Sequence, residues 1–382
     1  MSWPRRAVRV RVPATSANLG PGFDALGLAL SWYDEVTAEI TDSGLTIEVS
    51  GEGAASADAG EGHLVVRAMR AAFAVAGGRP PGIALRCVNA IPQGRGLGSS
   101  AGAVVAGLLA GRALAGQAID AEPKPLADAG LLALATQLEG HPDNAAACLA
   151  GGLTIAWTPG PGPGTGADPG PGTGVDRGTG VDRGAGPGAE PRAIRLEPLS
   201  VIVPVVCVPT ASLATTAARR ALPETIPHSH AATNAGRSAL LITALTQDPD
   251  LLFDATQDLL HQPYRAPLMP ASADLISRLR HAGIAAVLSG AGPTVLAFTV
   301  GGRTPGPHEV DSIAFQTGNE WHVSPLDVDR QGATIQSVPP GARIRIGARH
   351  GRHGSDLRGA CAGHAGRSWP DRWSFSVKHG QL

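Results

Sequence analysis

The chain has 382 residues, 43% of them hydrophobic, so it is long enough to bury a large core and to form two domains. Its 31 basic and 32 acidic residues nearly cancel, so no overall charge favours nucleic acid or an anionic membrane as a partner. The 4 cysteines fit neither zinc nor redox spacing, and neither a signal peptide nor a membrane-spanning run is present, so we expect a cytoplasmic protein with reduced thiols.

Hydrophobic periodicity predicts an α+β protein, with strands and helices in both halves of the chain. In the first strand, Val8, Val10 and Val12 alternate with two arginines, which is typical of a half-buried strand that ends at Pro13. The predicted strands cover residues 8–12, 32–40, 45–49, 83–88, 153–157, 201–208, 284–289, 294–300, 321–328 and 333–336. The predicted helices cover residues 64–76, 99–114, 126–138, a short segment after 142, 214–221, 229–245, 249–260, 271–282 and 308–317.

Composition divides the chain into four segments. We predict an N-terminal domain over residues 1–157, an insertion over 158–190, a C-terminal domain over 191–338 and a tail over 339–382. The insertion is rich in Gly and Pro, and the tail is basic and rich in Gly. Neither has enough apolar residues to form a core, so both are predicted to be disordered.

The strongest motif is IPQGRGLGSSAGAVVAGLL, from Ile91, which places a glycine-rich turn between a strand and a helix. Glycines let backbone N–H groups approach an anion, and a helix N-terminus adds a favourable dipole. Two common phosphate loops are excluded, because a P-loop needs Lys before Ser99 and the dinucleotide fingerprint needs its third glycine one place after Gly98. The alternative is an ordinary glycine turn in which Ser99 or Ser100 caps the helix.

Five further strings could carry chemistry, and each also has a simpler interpretation. PATSANLGPGFD at residues 13–24 and SGAGPT at 289–294 are compatible with plain turns, and EGHPDN at 139–144 with a turn between helices. TTAAR at 215–219 and HQPYR at 261–265 each hold an arginine that could simply be a solvated surface residue.

Taken together, these strings resemble the homoserine kinases, a family within the GHMP kinase superfamily. The glycine-rich string matches the P-x3-GLGSSA pattern of those kinases, and EGHPDN is characteristic of the homoserine kinases. The strings occur in the family's order over roughly residues 8–337. The resemblance implies a two-lobed α+β fold with the active site between the lobes. It also implies ATP-dependent phosphorylation of the L-homoserine side-chain hydroxyl with Mg²⁺, a step of threonine biosynthesis, in a homodimer that binds no nucleic acid or membrane.

The same resemblance assigns roles to individual residues. Asp143 matches a catalytic base. The residues matched to the ATP phosphate loop are Pro92, Gln93, Gly94, Arg95, Gly96, Leu97, Gly98, Ser99, Ser100, Ala101 and Gly102. The residues matched to substrate contacts are Asn18, Asp24, His141, Asn144, Thr215, Arg219 and Arg265. Many homoserine kinases carry a metal-binding Glu eight residues before the His of EGHPDN, where this chain has Ala133, so the metal ligands are assigned to Ser100 and Glu139.

Three alternatives stay open at the level of sequence. One is another GHMP kinase that acts on an isoprenoid alcohol or a sugar. A second is a nonenzymatic protein that keeps the fold, which Ala133 favours. A third is nucleic-acid binding through the basic tail, although the sequence offers no aromatic stacking platform.

Overall fold

The computed structural model describes residue 3 and residues 6–116, 129–160 and 190–338. Most of the predicted insertion, the whole of the tail from residue 339 and the start of the helix predicted at residue 126 lie outside these ranges. Within the described ranges, no helix is both long and apolar enough to cross a membrane.

The elements alternate along the chain as the α+β prediction requires. The strands are β1 (Ala7–Ala17), β2 (Leu26–Thr41), β3 (Gly44–Gly51), β4 (Gly82–Asn89), β5 (Leu153–Trp157), β6 (Arg192–Leu196), β7 (Ile202–Pro209), β8 (Ala285–Leu288), β9 (Val295–Val300), β10 (Trp321–Pro325) and β11 (Thr334–Val338). The helices are α1 (Leu64–Val75), α2 (Ser99–Leu114), α3 (Ala129–Glu139), α4 (Asp143–Ala150), α5 (Thr215–Arg220), α6 (His228–Thr246), α7 (Leu252–Ala255), α8 (Gln262–Arg265), α9 (Pro270–His281) and α10 (Pro307–Gln316). Short 3-10 turns lie at Ala54–Ser56, Pro249–Leu251 and Ala266–Leu268.

The strands form two sheets, and the α+β prediction is confirmed. The first sheet has seven strands, ordered β11-β1-β2-β4-β3, with β5 paired to β2 and β6 paired to β5. Its pairs are antiparallel except for β3 and β4, which run parallel. The second sheet is antiparallel, with four strands in the order β10-β7-β9-β8.

The first core lies between the first sheet and the helices α1 to α4. Val8, Val10 and Val12 are fully buried in it, which confirms the predicted half-buried strand. The small residues of α2 let α1 approach closely, because a Cβ on Gly107 would overlap the backbone oxygen of Val65. The Ala- and Gly-rich composition of α2 therefore has a packing reason. The close packing against α1 fixes the orientation of α2 and with it the position of the α2 N-terminus.

Two predicted boundaries were wrong, and one strand was missed. The first strand does not end at Pro13 but continues to Ala17, because a register shift between Pro13 and Ala14 accommodates the proline. The helix predicted over 249–260 stops at Ala255, where the side chain of Asp258 begins to accept backbone N–H groups that a continuous helix would use. The strand β6 was not predicted at all.

Two strands that follow the insertion in sequence join the first sheet. These are β6, which pairs with β5, and β11, which pairs with β1 at its outer edge. The first sheet is thus built from both sides of the insertion, and the assigned domain limits stay a prediction from composition.

We predict that removing residues 160–188 leaves the protein folded and the catalytic rate nearly unchanged. Trp157 pairs directly with Arg192, so the insertion leaves and rejoins the sheet at one place. The five residues that would remain can close an antiparallel connection, and the shorter loop should change the free energy of unfolding by at most about 2 kcal/mol.

Urea denaturation and steady-state kinetics would measure both effects, with a scrambled insertion of equal length as the control. A large loss of rate in a deletion variant that still folds would show that the insertion takes part in function.

Candidate functional site

The glycine-rich string forms the connection between β4 and α2. Gly94, Gly96 and Gly98 have φ values of 64°, 80° and 70°, which L side chains rarely adopt. Gly98 is the N-cap of α2, and Ser99 and Ser100 are its first two helical residues. The plain-turn interpretation, in which one of these serines caps the helix, is therefore wrong. The backbone N–H groups of the first helical turn therefore lie beside a loop with three left-handed glycines, which suits the close approach of an anion.

The EGHPDN turn meets this loop at the N-terminus of α2. The hydroxyl of Ser100 donates to Oε1 of Glu139 at 2.7 Å. On the other side, the hydroxyl of Thr15 donates to Oδ1 of Asn144 at 2.8 Å. A Cβ on Gly98 would overlap this Thr15 hydroxyl and lie 3.2 Å from Asn144 Oδ1, so only glycine leaves room for the convergence.

The SGAGPT loop at residues 289–294 packs on the same glycine-rich loop from the side of the second sheet. The Ser289 hydroxyl donates to the Gly96 carbonyl at 2.6 Å, and the Thr294 N–H donates to the Arg95 carbonyl at 3.3 Å. A Cβ on Gly96 would overlap the carbonyl oxygen of Ser289. The SGAGPT string thus supports the glycine-rich loop from the side of the second sheet.

In the loop at residues 13–24, Asn18 has φ 69° and Asp24 has φ 55°, both in the left-handed region. The Asn18 side chain is buried, donates from Nδ2 to the Gly290 carbonyl at 2.8 Å and accepts the Asp24 N–H on Oδ1 at 2.9 Å. Its amide is therefore engaged within the protein. In this structure Asn18 holds Asp24 in place and fastens the loop to Gly290.

Asp24 forms a two-point ion pair with Arg219 of α5. The two carboxylate oxygens accept from Nη2 at 2.8 Å and from Nη1 at 3.3 Å. Within the described part of the chain, the buried Nε of Arg219 has no hydrogen-bond partner, so the guanidinium keeps one donor for a ligand. Thr215 is exposed and lies one helical turn before Arg219 on α5.

The second predicted arginine, Arg265 at the end of α8, is only 1% exposed. Its Nε donates to the Ala218 carbonyl at 3.2 Å, and its Nη1 donates to the Gly290 carbonyl at 3.2 Å. Phe23 lies next to both guanidiniums, with its ring centre 5.3 Å from Arg265 and 5.8 Å from Arg219. Burial and the charge of Arg219 lower the pKa of Arg265 to about 10, so the side chain stays protonated at neutral pH.

Asp143, the first residue of α4, is 3% exposed and belongs to the same charged cluster. Burial raises its pKa to about 7, the negative charge of Asp24 adds to this effect, and the Asn144 N–H and Arg219 oppose it. The Asn144 N–H donates to Asp143 Oδ1 at 2.7 Å. His141 is half-buried in the same turn, two residues before Asp143.

The site offers only a few protein oxygens as ligands for a metal ion. Among the described residues, no group of three or more His, Cys, Asp or Glu side chains has a metal-binding arrangement. Ser100 and Glu139 are adjacent, burial raises the pKa of Glu139, and Ala133 offers no ligand atom on α3. Two oxygens suit Mg²⁺, which is commonly held by one or two protein ligands together with substrate phosphates and water.

Other residues contribute to the site although no motif marked their individual roles. The Thr15 hydroxyl is one, and Gly27 of β2 is another, since a Cβ on it would lie 2.6 Å from the Asp143 carbonyl and push α4 away. Arg95, by contrast, was matched to the phosphate loop, but its guanidinium donates to the carbonyls of Pro209 and Thr210 at 2.9 Å each. A single hydroxyl, glycine or arginine carries no signal in one sequence that would have revealed these contacts.

Two family models match the chain. The GHMP kinases N terminal domain matches residues 63–152, and the GHMP kinases C terminal model matches residues 240–316. The first match contains the glycine-rich loop and the EGHPDN turn, and the second contains the HQPYR and SGAGPT strings.

Several known proteins are similar to the chain over most of its length. A homoserine kinase of Streptomyces coelicolor is 50% identical over 86% of this chain and 94% of its own length. A homoserine kinase of Mycobacterium tuberculosis is 44% identical over 83% of this chain and 90% of its own. The crystal structure of homoserine kinase from Cytophaga hutchinsonii is 25% identical, has a TM-score of 0.68, and the match covers 88% of this chain and 99% of that one.

We predict that Gly96→Ala destabilises the protein more than Gly94→Ala does. Both glycines have positive φ, so an alanine at either position has a similar backbone strain of about 1–2 kcal/mol. Only at Gly96 does the new Cβ overlap the Ser289 carbonyl, which adds about 1–3 kcal/mol, whereas at Gly94 the nearest atom is 3.6 Å away.

Urea titration of the two variants, with fluorescence detection, gives the difference between their unfolding free energies. Equal destabilisation would mean that the SGAGPT loop does not pack on Gly96 as described.

Proposed function

Since the chain belongs to the homoserine kinase family of the GHMP kinases, we propose that it transfers the γ-phosphoryl group of ATP to the side-chain hydroxyl of L-homoserine, which yields O-phospho-L-homoserine and ADP. The observation that carries this proposal is the charged cluster of Asp24, Arg219, Arg265 and Asp143 beside the N-terminus of α2. The cluster contains charged groups of both signs that match an amino-acid zwitterion, and it lies next to a loop that suits phosphates.

The phosphates of ATP would lie at the glycine-rich loop. Phosphoryl transfer depends chiefly on positioning and on neutralising charge, and the N–H groups at the start of α2 supply both. Mg²⁺ fits the oxygens of Ser100 and Glu139, and bound there it would neutralise charge on the phosphates. The Ser100–Glu139 hydrogen bond keeps these two oxygens together.

The substrate zwitterion would lie over Asp24 and the two arginines. A guanidinium matches a carboxylate geometrically, and the free Nε donor of Arg219 supports such a contact. Asp24 carries the opposite charge, which suits the substrate ammonium. The remaining proposed contacts come from residues close in sequence to Asp143 or Arg219, namely His141, Asn144 and Thr215.

Asp143 is the proposed general base for the homoserine hydroxyl. A base works best when its pKa is near the working pH, and burial together with Asp24 raises the pKa of Asp143 to about 7. The competing role is positioning alone, in which the hydroxyl proton passes directly to phosphate. The homodimer implied by the resemblance and the cytoplasmic location expected from the sequence stay predictions.

A coupled assay of ADP release on L-homoserine, L-serine, mevalonate and galactose tests the function. We expect clear preference for L-homoserine, because only it presents a carboxylate, an ammonium and a hydroxyl at the required spacing. Equal or better turnover of mevalonate would favour an isoprenoid kinase and refute the proposal.

Asp143→Asn should lower kcat by about 10²- to 10⁴-fold and leave ATP binding little changed, because the amide cannot accept the proton. In the unmodified protein, the carboxyl is protonated below about pH 7, so kcat/KM for homoserine should fall about tenfold per pH unit there.

This decrease of kcat/KM at acidic pH should be absent in Asp143→Asn. A decrease of kcat by only severalfold in the variant, with the pH dependence retained, would assign Asp143 a positioning role.

Arg219→Lys should raise the KM for homoserine by about ten- to a hundredfold, since a charged hydrogen bond contributes roughly 1.5–3 kcal/mol and lysine lacks the planar fork. The KM for ATP should barely change. The neighbouring Arg220 is exposed, so Arg220→Lys is the matched control. A normal homoserine KM in Arg219→Lys would remove Arg219 from the carboxylate site.

A further inference from the structure

His261 is a fully buried histidine that the mechanism above does not use. It directly precedes α8, the short helix whose last residue is Arg265. Its backbone N–H donates to Asp258 Oδ2 at 3.1 Å, and the Gln262 N–H donates to the same oxygen at 2.7 Å. These bonds fix the start of α8 and the backbone position of His261.

The two ring nitrogens of His261 contact groups of opposite hydrogen-bonding character. Nε2 lies 3.0 Å from the Gly20 carbonyl, which can only accept, so Nε2 must carry a proton. Nδ1 lies 3.0 Å from Nη1 of Arg265, which can only donate, so Nδ1 must be unprotonated. Both contacts are satisfied by one species alone, the neutral imidazole protonated on Nε2.

Burial favours this neutral form. It lowers the pKa of His261 below its ordinary value, and the nearby Arg265 adds to the effect while Asp258 opposes it. Phe23 stacks on the imidazole with ring centres 5.1 Å apart and planes inclined by 27°. The ring therefore has little freedom to turn away from its two partners.

These contacts join two strings that are far apart in sequence. Gly20 and Phe23 belong to the loop at residues 13–24, which presents Asp24, whereas Arg265 belongs to HQPYR. Within the described part of the chain, the hydrogen bonds of Arg265 use Nε and Nη1, which leaves Nη2 for a ligand. The direction of Nη2 thus depends on the acceptor at His261 Nδ1.

We propose that His261 is a positioning residue for substrate specificity: through Nδ1 it orients the guanidinium of Arg265 towards the substrate carboxylate, and through Nε2 it holds the Gly20–Asp24 loop against it. The proposal rests on the proposed function, because it names a carboxylate-bearing amino acid as the ligand. His261 itself does not touch the reacting atoms.

Two substitutions test the roles of the two ring nitrogens separately. In His261→Asn the side-chain oxygen takes the place of Nδ1 and keeps an acceptor for Arg265, whereas in His261→Gln the amide nitrogen takes the place of Nε2 and keeps only the donor to Gly20. The exposed His308, changed to Gln, is the matched control. Each variant is assayed on L-homoserine and on 3-aminopropan-1-ol, which keeps the amine and the hydroxyl but lacks the carboxylate.

His261→Gln should raise the homoserine KM about tenfold or more and lower the preference for homoserine over 3-aminopropan-1-ol by the same factor. His261→Asn should keep that preference within about threefold, and neither change should alter the KM for ATP. If Asn and Gln reduce the preference equally, or if the KM for ATP rises in parallel, the acceptor at Nδ1 does not control specificity and the proposal is overturned.

A spectroscopic measurement on the unmodified protein does not depend on turnover or on the folding of a variant. Two-bond ¹H–¹⁵N correlation spectra should show His261 with an unprotonated Nδ1 and a protonated Nε2 at neutral pH. A protonated Nδ1 would refute the positioning role. If the unmodified protein does not phosphorylate homoserine but shows the expected tautomer, then the proposed function fails while the Arg265 contact stands.

Discussion

The backbone of Gly290 is the point through which the site is assembled. Its N–H donates to the Ala17 carbonyl at 3.0 Å, and its carbonyl accepts from both Asn18 and Arg265. These bonds connect the second sheet, the end of β1 and the helix α8. Because a buried carbonyl without partners would be costly, moving any one element leaves a polar group unsatisfied. The position of Asp24 follows from this arrangement, since Asn18 holds Asp24 with its remaining side-chain acceptor.

The end of the site at which phosphates are proposed to lie is organised by backbone groups, and the described residues contribute no lysine to it. Gly96 and Gly98 let the SGAGPT loop and Thr15 come so close that a side chain on either glycine would overlap them. The start of α2 is therefore held from both sides, and the orientation of its N–H groups is set before ATP binds. Fixed dipoles of this kind need no reorganisation during the reaction, which is the condition under which they stabilise a transition state best.

The sequence predicted the elements whose signals are local. Helix α2 begins at Ser99 and ends at Leu114 as predicted, because a left-handed glycine precedes it and small apolar residues fill it. The strand β6 was missed because its five residues are mostly exposed and gain their order from pairing with β5. Motif matching assigned Asn18 and Asp24 to the substrate site, and that assignment stays a prediction. Motif matching could not show that the Asn18 amide bonds within the protein, since that depends on where Gly290, 272 residues later, lies in the fold.

In the proposed binding mode, charge balance gives the site a preference for an amino acid that hydrogen bonds alone would not give. Asp24 and Arg219 neutralise each other when no substrate is bound, at side chains that are roughly two-thirds buried. An amino-acid zwitterion brings one charge of each sign, so it can exchange partners with this pair and leave no buried charge unpaired. A sugar brings no charge, and inserting it between the two would remove their pairing without replacement. A carboxylate without an ammonium would compete with Asp24 for Arg219 and add a second anion near Asp143, whose pKa Asp24 already raises. In the proposed binding mode, selectivity for an amino acid thus follows from the ion pair itself, before any contact with the hydroxyl that reacts.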